Sequence, residues 1–354
     1  MSAVYEKLIR PLLFRQDPEA SHDHAIAVLK FLSAVPSVCR LMERYNQVSG
    51  LKPIDLFGLK FPNPVGLAAG FDKNALCWPA LKALGFGFAE LGTVSYQRQP
   101  GNPRPRLERH LSHEALINRM GFNSDGAEAV ARRLARASKS KRRRIPLGIN
   151  IGKSKAVPLD CAAEDYLNSF HRLADFADYF TINVSSPNTP ELRKLQGRGY
   201  LQDLLKILKN ASDDRSRKMG VPRIPMLVKV SADLSFRQLD AVLEVAQSFD
   251  VAGIITTNTL LWRPSTFPEE AKGGLSGKPI FERSLKVVNY IHRSTEGTLP
   301  IVGVGGIMRP EDAGQMMDAG ASLIQIYTAL VYRGPFFAKT LAQALSWRQR
   351  DWLA

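Results

Sequence analysis

The chain has 354 residues, 45% hydrophobic and 23% charged, an ordinary globular balance that suits one large barrel or two smaller domains. Its three cysteines, Cys39, Cys77 and Cys161, are far apart and form no CxxC, which argues against a disulfide framework or a zinc site and fits a reducing compartment. A formal charge of +15 favours an anionic partner, whether lipid surface, nucleic acid or acidic metabolite, without choosing among them.

The N-terminus is basic and apolar but lacks a long apolar core and a small-residue cleavage site, so it reads as retained rather than as an export signal. Tyr5, Leu8, Ile9, Leu12 and Leu13 follow helical spacing, interrupted by Pro11. Asp17-Pro18 then marks a helix start, with proline at the first helical position, and Ala25, Ile26, Val28, Leu29, Phe31 and Leu32 continue the pattern until Pro36. These two amphipathic helices fall short of the roughly 20 apolar residues that span a bilayer. They suit a cap over a barrel end or a pair lying on a membrane surface.

From Leu59 onward a short apolar run, a polar or glycine-rich cluster and a helical stretch recur. The runs are VGLAAG (65–70), FGFAELGTV (86–94), IPLGINIG (145–152), YFTINVSS (179–186), PMLVKVS (225–231), VAGIITTN (251–258), PIVGVGG (300–306) and SLIQIYTAL (322–330). Eight strands alternating with helices predict an α/β chain of the (β/α)8 TIM-barrel class with a small N-terminal helical extension. A doubly wound sheet with a dinucleotide site needs GxGxxG directly after a strand, and GVGGIM (303–308) does not supply it.

In such a barrel the C-terminal strand ends converge on one site, and here they carry Lys73, Thr93, Asn150, Asn183 with Ser186, Lys229, Thr257 with Asn258, and Gly305-Gly306. Lysines in that place call for an anion. The glycine pair and Tyr327-Thr328 occupy the position where barrels commonly hold a phosphate, and Asn118, Asn123, Asn150, Asn183, Asn188 and Asn258 suit the amide-like edges of an isoalloxazine or a pyrimidine. Without HExxH, paired carboxylates or a His/Cys metal spacing, metallohydrolase and glycosidase chemistry are disfavoured. The polar end of TINVSSPNTP (181–190) leaves its serines as nucleophile, base or turn residue. The run RRLARASKSKRRR (132–144) precedes the third strand and reads as a solvated helix and loop at the barrel bottom; nothing beside it suggests nucleic-acid binding.

Taken in order, AAGFDKN (68–74), ELGTV (90–94), GNPRPR (101–106), INRMGFNS (117–124), GINIGK (148–153), INVSSPNTP (182–190), LVKVSAD (227–233), TTNT (256–259), GGLSG (273–277), GVGGI (303–307) and IQIYTAL (324–330) resemble the class 2, quinone-dependent dihydroorotate dehydrogenases over almost the whole chain. The serine in SSPN, where class 1 enzymes carry cysteine, supports the class. The resemblance implies oxidation of (S)-dihydroorotate to orotate in pyrimidine synthesis, with electrons passing through FMN to a membrane quinone. It makes Ser186 the base; Thr189 is a candidate relay neighbour by its closeness in sequence alone, and Ser185 keeps the reading of a turn residue.

It further implies FMN contacts from Ala69, Gly70, Phe71, Asp72, Lys73, Thr93, Asn150, Asn183, Lys229, Thr257, Gly277, Gly306, Tyr327 and Thr328. Substrate contacts follow from Lys73, Asn118, Arg119, Met120, Gly121, Phe122, Asn183, Asn188, Asn258 and Thr259. His22, Arg109 and Tyr327 match positions lining a quinone tunnel. Residues 1–45 are then expected to form a membrane-associating helical pair, and 46–354 the FMN-binding barrel. The expected location is peripheral, on the cytoplasmic side of the bacterial inner membrane. The chain departs from the family pattern at Ala75 and Glu191, where glycine is common, and at Ser231, where proline is.

Overall fold

The computed structural model describes residues 4–138, 145–189, 191–261, 267 and 272–351. Among these, eight parallel strands close into a barrel in the order Val65–Leu67, Phe88–Val94, Leu147–Ile151, Tyr179–Asn183, Met226–Val230, Gly253–Thr256, Ile301–Val304 and Leu323–Ile326, the last pairing back onto the first. Each lies inside one of the eight apolar runs, and every residue of every strand is buried. Strands covered on both faces need no polar alternation, which is why they read as continuous apolar runs.

The bottom of the barrel is filled by large side chains: Phe61, Phe88, Tyr179, Leu227, Ile255, Val302 and Leu323 form one cluster. Two strand glycines make room for its rings. A Cβ on Gly66 would lie 2.3 Å from Phe88 Cζ, and one on Gly148 2.1 Å from Tyr179 Cζ. A hairpin, Ile54–Leu56 with Leu59–Phe61, turns through Phe57-Gly58 and brings Phe61 edge-on to Phe88. Towards the C-terminal end the interior turns polar.

Helices Ala127–Ser138, Ala162–Leu173, Arg198–Met219, Phe236–Ser248, Phe281–Ser294, Pro310–Asp318 and Phe337–Asp351 surround the barrel. The crossover after the first strand differs from the expected helical stretch. It consists of two 3-10 turns, Trp78–Ala80 and Lys82–Leu84, with Pro79 inside the first and Gly85 closing the second at φ 95°. The N-terminal region fills the vacant helix position: Asn46 Nδ2 donates to Ala83 O at 2.6 Å and Ser33 Oγ to Cys77 O at 3.3 Å.

Asp17 caps helix Pro18–Ser33 as expected, accepting from the N–H groups of Glu19 and Ala20. Pro36, read from sequence as a stop, is also the first residue of a further helix, Pro36–Asn46, bent by 103° from its predecessor. Among the described residues no single helix is long and apolar enough to cross a membrane.

A three-stranded antiparallel sheet, Leu107–His110, Ala115–Asn118 and Gly274–Gly277, is a further addition to the sequence reading. The family departures at Ala75 and Glu191 fall on left-handed backbone, with φ of 56° and 57°. Glycine takes that conformation freely, so a side chain at either place costs about 1 kcal/mol. Of the basic run, residues 132–138 lie on helix Ala127–Ser138 and 139–144 fall outside the described residues, as does Pro190.

Candidate active site

A cavity of about 1130 Å³, counting its open mouth, lies at the C-terminal ends of the strands. Under it runs a hydrogen-bonded floor. Glu90, in mid-strand and 0% exposed, accepts from Asn150 Nδ2 through Oε1 and from Gln325 Nε2 through Oε2, both at 2.8 Å. Lys229 Nζ stands 3.5 Å from Oε1. Asn150 Oδ1 accepts from Thr93 Oγ1 at 2.6 Å and from Asn183 Nδ2 at 3.2 Å. These bonds fix which way the amides face and leave Lys229, Gln325, Thr93 and Asn183 on the cavity wall.

The loop after the fourth strand is framed by Asn183, whose Oδ1 accepts from Ser185 N, Ser185 Oγ and Asn258 Nδ2. Ser185 is thus used up in shaping the loop. Ser186 faces the cavity, and its Oγ accepts only a long 3.3 Å bond from Asn188 N among the described residues. Asn188 Nδ2 donates to Asn118 O and Oδ1, both at 3.0 Å, joining this loop to the antiparallel sheet. Thr189 is buried, and its Oγ1 has no hydrogen-bond partner among the described residues.

Lys73 enters from the loop after the first strand. Burial pulls its ammonium down to about 8, against the opposing pull of Glu19, Asp23 and Asp72. At the far end Gly277, Gly306 and Thr328 meet, and Thr328 Oγ1 donates to Ser276 Oγ at 2.9 Å. Gly306, at φ 80°, packs so tightly that a Cβ would come within 2.6 Å of the Phe281 backbone.

Ala69, Gly70, Lys73, Thr93, Asn183, Lys229, Thr257, Gly277, Gly306, Tyr327 and Thr328 therefore line one cavity, as do Asn118, Met120, Gly121, Phe122, Ser186, Asn188, Asn258 and Thr259. Phe71, Asp72, Asn150, Arg119, His22 and Arg109 stand off its surface. Asp72 accepts from the N–H groups of Leu76 and Cys77, which shapes the turn after Lys73. Arg119 points away, donating to Pro105 O and Glu108 Oε1. Asn150 acts from beneath the floor.

His22 packs edge-on against Phe71, which packs edge-on against Tyr327, so these three rings lead from the N-terminal helix to the cavity. Burial and nearby Lys73 depress the His22 imidazole to about 3, keeping it neutral, while burial lifts the Tyr327 phenol to about 12. Arg109 instead ties the chain before the helix in place, donating to Phe14 O, Gln16 O and Ser21 Oγ.

Four further residues were not singled out from sequence. Glu90 and Gln325 are polar residues inside barrel strands, a signal present in the runs themselves. Glu19 and Arg106 pair 87 positions apart, where the sequence holds no cue.

A closed parallel barrel whose strand ends bring two lysines, a set of asparagine amides and a serine to one cavity has the architecture of an α/β-barrel enzyme. The dihydroorotate dehydrogenase family model matches residues 53–348, and the chain belongs to that family. It is 46% identical to the dihydroorotate dehydrogenase (quinone) of Thermosynechococcus vestitus, with 96% of each chain covered. It is 48% identical to that of Salinispora arenicola, covering 96% of this chain and 98% of the relative. A crystal structure of DHODH from Eimeria tenella in complex with ferulenol superposes with a TM-score of 0.83 at 34% identity, covering 93% of this chain and 90% of that one.

Proposed function

We propose that the protein oxidises (S)-dihydroorotate to orotate in pyrimidine biosynthesis, with FMN as cofactor, Ser186 as base and a membrane quinone as electron acceptor. The observation that carries this reading is the meeting of Ser186, Lys73 and the amides of Asn118, Asn183, Asn188 and Asn258 in one cavity. The cavity also suits the cofactor: Lys229 and Lys73 present positive charge, Gln325 Oε1 is a buried acceptor without a partner among the described residues, and the backbone N–H groups of Gly277, Gly306 and Thr328 on its wall support a phosphate there. FMN, when bound, supplies the acceptor for a hydride, two electrons with one proton.

Dihydroorotate loses a proton from C5 and a hydride from C6 as the C5=C6 double bond forms. Ser186 Oγ takes the C5 proton. Among the described residues its one contact is long and leaves the oxygen available, and the Thr189 hydroxyl, without a hydrogen-bond partner among them, lies on the same loop to pass the proton onward. Lys73 holds the carboxylate, and the asparagines orient the ring by matching its alternating N–H and C=O groups. Steady-state assays offering quinone, fumarate and NAD separately test the acceptor; faster turnover with fumarate or NAD than with quinone overturns the quinone assignment.

The Lys73 shift sets a pH dependence. Its folded value of about 8 lies below the ordinary 10.5, so the charged lysine costs the fold stability below about pH 8, a cost relieved as pH rises past the ordinary value. Anion binding runs the other way, because the lysine loses its charge as pH rises through 8. Orotate affinity, read from the perturbed flavin absorbance, is expected to be level below that point and to fall by up to about tenfold per pH unit above it. Lys73→Met should bind weakly with no such bend; a flat wild-type profile excludes the role.

The N-terminal helical segments Tyr5–Ile9, Arg10–Leu13, Pro18–Ser33 and Pro36–Asn46 carry Leu8, Leu12, Val28, Phe31 and Leu41, each more than 60% exposed. We propose that this apolar surface rests on the cytoplasmic face of the bacterial inner membrane, with His22, Phe71 and Tyr327 marking the quinone's route to the cavity. Leu12→Ser and Phe31→Ser are each expected to weaken binding to lipid vesicles by about tenfold. Dihydroorotate-dependent reduction of a water-soluble acceptor should be unaffected. Vesicle binding equal to wild type contradicts the docking.

A further inference from the structure

Glu90 is a fully buried acid that the proposed chemistry does not use. It lies beneath the cavity floor, and among the described residues the groups bonded or ion-paired to its carboxylate are all donors: Asn150 Nδ2, Gln325 Nε2 and Lys229 Nζ. Three donors and no acceptor make an environment for an anion. On the opposite side Lys229 and Gln325 face the cavity. Among the described residues Glu90 is the one carboxylate within ion-pair distance of Lys229, which is itself 5% exposed.

We propose that Glu90 is the counter-ion of Lys229 and that, by cancelling the lysine's charge under the cavity, it lowers the affinity of the bound flavin for electrons. The inference rests on the cavity holding FMN. Two-electron reduction with uptake of one proton leaves a flavin one unit more negative. Beside a lone buried ammonium that added charge is strongly favoured; beside an ammonium and carboxylate 3.5 Å apart the two fields largely cancel. The pair thereby keeps the reduced cofactor able to pass its electrons on. Lys229 is still free to hydrogen-bond the ligand, so Glu90 acts through it as a positioning and charge-compensating residue.

Gln325 makes the charge separable from the shape. Its Oε1 is buried with no partner among the described residues. In Glu90→Gln the introduced amide needs one acceptor, and half a turn of the Gln325 amide supplies it, so one negative charge is lost with the packing kept, while Gln325 exchanges its acceptor for a donor towards the cavity. The same substitution in a Gln325→Ala background separates the charge from that exchange. Glu90→Asp does the reverse, straining the hydrogen bonds but keeping the charge.

The test is the flavin midpoint potential of the purified holoenzyme, measured by equilibrium reduction against a reference dye. Glu90→Gln is expected to raise it by about 30 mV or more, a tenfold change in the reduced-to-oxidised ratio. Sulfite, which adds to oxidised flavin and leaves it anionic, is expected to bind about tenfold more tightly in the same variant. Glu90→Asp should stay near wild type in both measurements. The same comparison in a Lys229→Met background, where loss of the Glu90 charge leaves no lysine unpaired, should shift in the same direction and serves if the single variant does not fold. An unchanged potential in Glu90→Gln, or equal shifts in the Asp and Gln variants, overturns the proposal. Wild-type protein that holds no flavin instead overturns the cofactor reading on which it stands.

Discussion

Replacing Ser186 with alanine is expected to slow reduction of the bound flavin by dihydroorotate by about 10²- to 10⁴-fold while leaving the flavin in place. The loop does not depend on this hydroxyl for its shape. Asn183, Ser185 and Asn258 frame it through hydrogen bonds that bypass Ser186, and Asn188 is held by Asn118. The variant loses one long bond, from Asn188 N at 3.3 Å, so cofactor content and orotate affinity should remain close to wild type. Anaerobic stopped-flow mixing separates the rate from these two quantities. Reduction at the wild-type rate removes Ser186 from the mechanism.

The second large effect concerns stability. Glu19 lies at the start of helix Pro18–Ser33, and Arg106 Nε and Nη2 donate to its carboxylate at 2.7–3.2 Å, with both side chains at most 7% exposed. Arg106 Nη1 also donates to Pro100 O and Asn102 O, and Asn102 Nδ2 reaches Asn188 O and Arg119 O. The ion pair therefore links the N-terminal helix to the loop behind the substrate residues. Glu19→Ala leaves a buried guanidinium without its partner and is expected to cost about 3 kcal/mol, read by denaturant unfolding of the flavin-loaded protein. Arg106→Lys should not preserve the interaction, since an ammonium cannot make the paired contacts.

The sign with pH follows from the Glu19 carboxyl. Burial alone would raise it, but the hydrogen bonds and charges of Arg106 and Arg104 outweigh burial and hold it below the usual range. Its contribution is therefore complete above the usual carboxyl range and is lost as pH falls through the lowered value. The gap between wild type and Glu19→Ala should be full at neutral pH and shrink in acid. A gap below 1 kcal/mol at neutral pH (about the worth of an exposed pair) contradicts the role given to it.

The barrel was legible because strands buried on both faces must be apolar throughout, and because their C-terminal ends break abruptly into lysine, asparagine, serine and glycine. The Asp17-Pro18 helix start was legible for an equally local reason, the pairing of a capping acid with a preset φ. What escaped the reading depends on partners far away in sequence. LERH, ALIN and GLSG are too short and too mixed to announce strands, and they become a sheet only through pairing across 156 positions between Asn118 and Gly274. Glu90 and Gln325 did leave a trace, since a charged or amide side chain inside a fully buried strand must have a partner in the barrel. Glu19 and Arg106 left none. The departures at Ala75 and Glu191 gained their meaning from the backbone, where both sit at positive φ.

The measurement that bears most directly on the account is anaerobic addition of dihydroorotate to the purified protein, followed through the flavin absorbance and the orotate formed. The protein is expected to be yellow, to bleach with release of one orotate per flavin, and to regain its colour on adding quinone. A colourless protein, or a flavin that dihydroorotate leaves oxidised, would contradict the proposed function.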